Sequence, residues 1–333
     1  MARKVKWGVL STAKIGTEKV IPAMQKGKLV EMVGIASRDR ATAQEAAKRL
    51  GIAKTYATYD ELIHDPEIEA IYIPLPNHLH VPWAIKAVEA GKHVLCEKPL
   101  AVSAAEIRRL IRARDKAGVK VGEAFMVDTH PQWLKARELT RSSEFGNLRL
   151  ITGQFAYNNR DPKNIRNIKE FGGGGIFDIG TYTIHGSRFI FGEEPKRVVA
   201  LLETDPQMKI DRLTSVIMEF PSGHATFTCS TQIVPYQRMQ LFGTKRRVEI
   251  EIPFNAPPDR KTRLFVDTGD LTGASMETIE FPICNQYTIQ GDEFSRAIIE
   301  DMPVPVGLEN ALANMQVIEA VFKSAESGKW VSI

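Results

Sequence analysis

The chain has 333 residues, 43% of them hydrophobic and 25% charged, and this length predicts two domains rather than one core. Its 44 basic and 40 acidic side chains leave a net charge of +4 without a long basic run, which argues against a nucleic-acid partner. No stretch resembles a membrane helix, and the amino terminus lacks a signal-peptide core, so a cytoplasmic protein without membrane contact is expected.

The first third of the chain alternates β-rich segments with amphipathic helical ones. Strands are predicted at 5–10, 30–36, 70–74, 93–96 and 120–123, and helices at 42–50, 80–90 and 104–117. This alternation is typical of a parallel sheet connected by crossover helices. We therefore predict a Rossmann-type, doubly wound α/β domain over residues 1–125 that binds a dinucleotide.

The segment after the first strand is the candidate phosphate loop. A strict G-x-G-x-x-G motif would place glycines at 11, 13 and 16, but the chain has Ser11, Ala13 and Gly16. Small residues still allow backbone amides to approach a pyrophosphate at a helix start, and an ordinary strand-to-helix turn is the alternative. The cofactor-binding candidates in this loop are Ser11, Thr12, Ala13, Lys14 and Ile15.

The end of the second strand bears on the choice of cofactor. It carries Ser37 and Arg38, and a hydroxyl beside a guanidinium favours the 2′-phosphate of NADP. Asp39 follows, and a carboxylate shifted by one or two residues can instead bind the ribose of NAD. NADP is the predicted cofactor, and NAD stays possible.

Residues 73–80 read Ile-Pro-Leu-Pro-Asn-His-Leu-His and bend away from a strand end. Leu75, Pro76 and Asn77 are predicted to lie near the nicotinamide, with Asn77 as a helix cap. The two histidines are interpreted as cap and surface residues, not metal ligands, although His80 is kept among the cofactor-binding candidates. No metal is predicted, and three separated cysteines indicate reduced, buried thiols.

Glu97-Lys98-Pro99 follows the strand at 93–96 directly. A lysine at the carboxyl end of a buried strand can hold a substrate oxygen, and the following proline raises the frequency of a cis bond. Glu97 and Lys98 are therefore candidate cofactor contacts, and Lys98 is also a substrate contact. A surface lysine in a turn is the alternative interpretation.

Four segments together carry a resemblance to a known family. Residues 8–16, 74–78, 90–101 (Ala-Gly-Lys-His-Val-Leu-Cys-Glu-Lys-Pro-Leu-Ala) and 123–126 resemble the glucose-fructose oxidoreductase and inositol dehydrogenase superfamily, Gfo/Idh/MocA. The resemblance extends over nearly the whole chain. It implies that Lys98 is catalytic.

The second half of the chain changes character. After a helix at 132–139, strands are predicted at 148–157, 197–204, 215–220, 224–230, 238–242 and 247–252, and a long helix at 308–327. This pattern predicts an α+β domain over 126–333 with a large, mostly antiparallel open sheet, whose last helix packs on the sheet or on the first domain. The resemblance implies a homo-oligomer, dimer or tetramer, formed through that sheet.

The second chemical signal lies at 172–185, where four glycines precede a helix. The glycines can bring backbone close to a ligand, and the helix places Asp178, Tyr182 and His185 on one face. A phenol with an aqueous pKa of about 10 becomes a usable acid or base beside an ammonium, for which Lys98 is the candidate. The resemblance to the branch with tyrosine at this place implies that Tyr182 transfers the proton. A core aromatic bonded to Asp178 is the alternative, and His185 is either a substrate contact or a helix-face residue.

Two further segments offer substrate contacts. Arg160 and Arg166 lie in a donor-rich loop and suit sugar hydroxyls or an acidic group, while solvated loop charges are the alternative for at least one of them. Asp128 and His130 follow a strand end and are expected near substrate.

These patterns predict an NADP-dependent oxidoreductase that transfers a hydride to or from a sugar-type carbon, with oxidation of an aldose such as xylose or glucose at C1 as the first expectation. The catalytic set is Lys98, Tyr182 and Asp178. Alternatives left open are reduction of a ketosugar or anhydrosugar, oxidation of a trans-dihydrodiol, oxidoreduction between two sugars, and a non-catalytic NADP-sensing regulator.

Overall fold

A computed structural model describes residues 3–333, which divide into two compact units. The first unit contains the residues up to Thr129 and the segment Asn285–Leu312, and the second contains His130–Cys284 and Ala313–Ile333. Residues 285–312, which the sequence assigns to the second domain, therefore belong to the first unit.

The two units contain the following strands and helices. The strands are β1 Val5–Leu10, β2 Val30–Ala36, β3 Lys54–Tyr56, β4 Ala70–Ile73, β5 His93–Cys96, β6 Val121–Glu123, β7 Leu148–Asn158, β8 Arg197–Thr204, β9 Asp211–Glu219, β10 His224–Ser230, β11 Gln232–Gly243, β12 Arg247–Ile250, β13 Thr262–Asp267, β14 Glu277–Phe281 and β15 Val331–Ser332. The helices are α1 Ile21–Met24, α2 Arg40–Leu50, α3 Tyr59–Ile63, α4 Asn77–Glu89, α5 Ala104–Ala117, α6 Pro131–Thr140, α7 Thr181–Phe191, α8 Gln286–Ile299 and α9 Leu308–Ser327.

The first unit is built on a six-stranded parallel sheet in the order β3-β2-β1-β4-β5-β6. Strands β1, β2 and β4 consist mostly of buried apolar residues, as expected for a parallel sheet that is packed on both faces. The predicted Rossmann-type fold is confirmed. The sequence did not predict β3, whose three residues are too few for a pattern.

Helix α8 belongs to the first unit because it packs on β1. The Trp7 and Phe294 rings lie 5.5 Å apart between centroids, and the Trp7 indole Nε1 donates to the Ser295 hydroxyl at 3.1 Å. Burying these two aromatic surfaces stabilises the position of the helix. A contact across 288 positions leaves no local trace in the sequence.

The second unit contains a nine-stranded sheet in the order β14-β13-β12-β11-β7-β10-β9-β8-β15. Among the strand pairs that the described residues form in this sheet, only β7–β10 is parallel, so the predicted mostly antiparallel sheet is confirmed. Helices α6 and α7 pack together, with the Trp133 ring 6.2 Å from that of Phe189. Strands β13 and β14 were not predicted.

Candidate active site

The phosphate loop follows β1. The sheet continues from β1 through β2 and β3 on one side and through β4, β5 and β6 on the other, so the strand order reverses at β1. Ligands bind at such switch points in open α/β sheets. Ser11 has a φ of 112°, a conformation that favours glycine, and its hydroxyl accepts from the Ala13 amide at 2.9 Å. A Cβ on Gly16 would lie 3.3 Å from Pro74, so glycine gives the close packing that the motif requires. The loop therefore fits a dinucleotide despite its altered glycine pattern.

The end of β2 gives Arg38 and Asp39 different surroundings. Burial raises the pKa of Tyr59, and the nearby side chains of Arg38 and Ser11 oppose that shift, so Arg38 lies close to the residue that neighbours the phosphate loop. Asp39 instead caps α2, accepting from the amides of Ala41 and Thr42 and from the Thr42 hydroxyl. These bonds lower the pKa of Asp39, the Thr42 hydroxyl first among them. The Asp39 carboxylate is therefore already engaged in hydrogen bonds to the first turn of α2.

Three neighbours hold the turn that contains Lys98, whose peptide bond to Pro99 is cis. The Tyr72 hydroxyl donates to the Glu97 carboxylate at 2.5 Å, and the Leu100 amide donates to the Glu123 carboxylate at 2.8 Å. Burial first, and then the charge of Glu97, raise the pKa of Tyr72 far above its usual value, so its phenol stays a donor. Lys98 is half-buried at the end of β5. Its backbone is thereby fixed on both sides.

His80 is the third neighbour of this turn, and the structure corrects its predicted surface location. The side chain is 0% exposed, with Nδ1 2.8 Å from the Pro99 carbonyl and Nε2 2.7 Å from the Leu75 carbonyl. Burial lowers the pKa of His80 to about 4, while the two carbonyl contacts oppose that shift. His80 thus links the turn to the end of β4. The expected helix cap at Asn77 is also wrong, because Pro76 occupies that position and Asn77 is the first residue of α4.

An acid–base cluster lies in the second unit around Asp178. The Tyr157 hydroxyl donates to Asp178 Oδ2 at 2.6 Å, and Arg166 Nε donates to Oδ1 at 3.1 Å. Burial first, and then the charge of Asp178, raise the pKa of Tyr157, so the phenol stays protonated. The sequence did not single out Tyr157, because a tyrosine inside a long strand is ordinary.

Tyr182 lies one turn further along, in the first turn of α7. Its ring packs against two aromatic rings, with centroid distances of 5.9 Å to Phe155 and 5.5 Å to Phe254. The preceding segment Ile176–Gly180, which carries Asp178, is a π-type turn, a feature frequent at functional sites. His185 is buried in the same helix.

The sequence predicted that the glycine run at 172–175 brings backbone close to a ligand. In the structure these glycines allow close contact with other protein atoms. A Cβ on Gly174 would lie 2.0 Å from Asp211 Oδ1, and one on Gly173 would lie 2.6 Å from the Arg166 carbonyl oxygen. Asp211, at the start of β9, accepts from the Ile176 amide at 2.6 Å. Burial raises the pKa of Asp211 to about 7, against the effect of its hydrogen bonds.

The remaining candidate residues lie in different surroundings. Arg160 is exposed and lines a groove with Asn167, Asp205 and Arg212, whereas Arg166 pairs with Asp178. His130 is buried and caps α6 through Nδ1, and its expected position near substrate stays a prediction, as does that of Asp128. Lys98 and Tyr182 belong to different units, and their joint action stays a prediction.

Two properties of residues 3–333 concern metal binding and membranes. No group of three or more His, Cys, Asp or Glu side chains in this range is arranged to hold a metal ion. Within the same range, no helix combines the length and apolar character needed to cross a membrane.

Comparison with known proteins identifies related chains over the full length. A family described as "Oxidoreductase family, NAD-binding Rossmann fold" matches residues 5–125, and the "GFO/IDH/MocA C-terminal domain" matches residues 133–249. An uncharacterized oxidoreductase of Rhizobium meliloti is 46% identical over 99% of both chains. D-xylose 1-dehydrogenase (NADP(+)) 2 of Haloferax volcanii is 35% identical, over 98% of this chain and 99% of the relative.

A solved structure gives the same result at the level of the fold. The aldose-aldose oxidoreductase from Caulobacter crescentus, solved in complex with glycerol, superposes with a TM-score of 0.90 at 26% identity. The alignment covers 99% of this chain and all of that one.

Proposed function

Because the chain belongs to the Gfo/Idh/MocA oxidoreductase family, we propose that it transfers a hydride between NADP and C1 of an aldose such as xylose or glucose. The observation that carries this proposal is the whole-chain similarity to an NADP-dependent xylose dehydrogenase. The acid–base cluster around Asp178 supports it, since oxidation of a hydroxyl requires a group that removes its proton.

The cofactor residues are proposed to be those of the phosphate loop and of the β2 end. The loop amides from Ser11 to Ile15 would hold the pyrophosphate, and Ser37 and Arg38 the 2′-phosphate of NADP. NADP is favoured over NAD because the carboxylate of Asp39 is already occupied by the cap of α2. When bound, the nicotinamide supplies the hydride acceptor and donor.

The chain's own residues are proposed to move the proton and balance the charge. In oxidation, Tyr182 acts as a phenolate that takes the hydroxyl proton and becomes a phenol, and the Lys98 ammonium stabilises the negative charge that develops on the sugar oxygen. Asp178, held by Tyr157 and Arg166, accepts a hydrogen bond from a sugar hydroxyl and so orients the ring. In reduction each group acts in reverse.

Lys98→Ala and Tyr182→Phe test the assignment. Each should lower kcat with NADP and aldoses by about 10²- to 10⁴-fold, because each removes a group needed only in the transition state. Turnover is followed by the absorbance of the reduced nicotinamide across a panel of aldoses, ketosugars and trans-dihydrodiols. Tyr236→Phe, at an exposed tyrosine, is the control and should keep full activity. Unchanged turnover in both site variants contradicts the proposal.

A second candidate function is oxidoreduction between two sugars with a cofactor that stays bound. The similarity to the aldose-aldose oxidoreductase favours it. Nucleotide that copurifies with the protein, and that one sugar reduces and a second sugar reoxidises, would identify this reaction.

A further inference from the structure

Asp211 lies outside the groups assigned above and yet contacts the segment that carries two of them. It begins β9, 33 positions after Asp178 in the chain, and its side chain is buried. Oδ2 accepts from the Ile176 amide at 2.6 Å and from the Thr214 hydroxyl at 3.4 Å. The nearby amides of Gly175 and of Asp211 itself also favour the charged carboxylate, because they oppose the rise in its pKa that burial causes.

The glycine run is shaped around this carboxylate. A methyl group on Gly174 would lie 2.0 Å from Oδ1, and one on Gly175 would lie 3.1 Å from Oδ2. Gly174 also has a φ of 120°, which L side chains rarely adopt. Glycines at these positions therefore let a carboxylate from another strand reach the amides that begin the helical segment.

The same run is tied to the loop that carries Arg166. The Gly174 amide donates to the Arg166 carbonyl at 2.9 Å, and the Asp178 amide donates to the Gly174 carbonyl at 3.0 Å. The Arg166 side chain returns to the Asp178 carboxylate. A shift of the glycine run would thus move both Asp178 and the side chain that holds it.

We propose that Asp211 is a positioning residue: by accepting hydrogen bonds from the start of the segment 176–191, it sets where Asp178 and Tyr182 stand relative to the reacting sugar. The assignment rests on the proposed function for its catalytic consequence. Its structural part, the fixing of the Ile176 amide, does not depend on which reaction the protein catalyses.

Asp211→Asn tests the proposal, because asparagine keeps the shape but replaces one acceptor oxygen with a donor facing amides. We expect kcat to fall roughly 10- to 100-fold, since small misplacements of catalytic groups have effects of this size, while KM for NADP stays unchanged. The Ile176 amide should also exchange its hydrogen faster in this variant.

Two further variants complete the design. Gly175→Ala moves the carboxylate without changing its charge and should lower kcat in the same way, which keeps the test available if Asp211→Asn does not fold. Asp205→Asn is the matched control, because Asp205 is a buried aspartate that accepts from two amides at 2.8 Å in a different turn. It should leave kcat and Ile176 exchange as in the wild type.

The outcomes separate the two proposals. A wild-type protein without turnover on any sugar contradicts the proposed function, while the exchange of the Ile176 amide still tests Asp211. Normal kcat in folded Asp211→Asn or Gly175→Ala overturns the positioning role, whether or not exchange changes. The positioning role is also overturned if the fraction of unfolded variant accounts for the whole loss of activity.

Discussion

Arg38 and Asp39 are adjacent in the chain, but the folded structure gives their side chains different surroundings. The Arg38 charge lies near Tyr59, which also neighbours Ser11 of the phosphate loop, whereas the Asp39 carboxylate accepts hydrogen bonds from the first turn of α2. From the sequence alone either residue could decide the cofactor. The helix cap is what distinguishes them.

Arg38→Ala should therefore reduce the preference for NADP over NAD about 10- to 100-fold, the loss expected for charge-assisted hydrogen bonds worth roughly 1.5–3 kcal/mol. The measurement is kcat/KM with each cofactor. Arg40→Ala removes the same charge from an exposed side chain two residues later and should leave the ratio unchanged. Equal effects of the two variants would mean that general electrostatics, and not a local contact, selects the cofactor.

At the scale of elements, two helical segments that carry candidate site residues begin with a π-type turn, Ile15–Val20 and Ile176–Gly180. The sequence predicts the second of these segments as a regular helix with Asp178, Tyr182 and His185 on one face. A wider turn changes the direction of side chains four residues apart, so sequence spacing does not determine their geometry. Asp178 instead takes its orientation from Tyr157 and Arg166.

Helix α6 offers a test through the charge state of its cap. His130 is 1% exposed, accepts from the Gln132 amide through Nδ1 and lies 3.4 Å from Cys284 Sγ. Burial lowers its pKa to about 4, whereas an unfolded histidine titrates near 6.5. At pH values between these two, the unfolded chain binds more protons than the folded chain. The contribution of His130 to the free energy of unfolding is therefore fully present above pH ~6.5 and is lost as the pH falls towards ~4.

His130→Asn keeps a capping acceptor but removes the titration. The wild type should lose up to roughly 3 kcal/mol of unfolding free energy from this group on acidification, and the variant should not. The measurement is the difference in unfolding free energy between the two proteins at pH 7.5 and at pH 5. Other titratable groups contribute equally in both proteins, so their contributions cancel in this difference. A difference that stays constant with pH would contradict a neutral, buried His130.

At the scale of the whole molecule, the large sheet of the second unit carries exposed apolar side chains. Leu201 on β8 is 78% exposed and Ile217 on β9 is 43% exposed, and their strands are paired. Exposed apolar groups on a broad sheet are typical of a subunit contact. The proposed homo-oligomer would use this face.

The double variant Leu201→Lys and Ile217→Lys should therefore lower the solution mass to that of a monomer, because two desolvated charges per subunit would oppose the contact. Light scattering after size exclusion measures the mass. Leu271→Lys is the control, since Leu271 is fully exposed in a loop outside the described strands. An oligomer that persists in the double variant, or a monomeric wild type, contradicts this role of the sheet.

The amino-acid sequence alone determined the fold class, the positions of five of the six strands of the parallel sheet, the phosphate loop and the turn at Lys98. These features follow from hydrophobic periodicity, small residues and turn chemistry over short stretches of chain. The tertiary structure decided that Asp39 caps a helix, that His80 is buried, that Tyr157 binds Asp178 and that α8 packs on β1. Each of these outcomes depends on which donor, acceptor or ring the folded backbone brings together across the chain, and no local pattern records that.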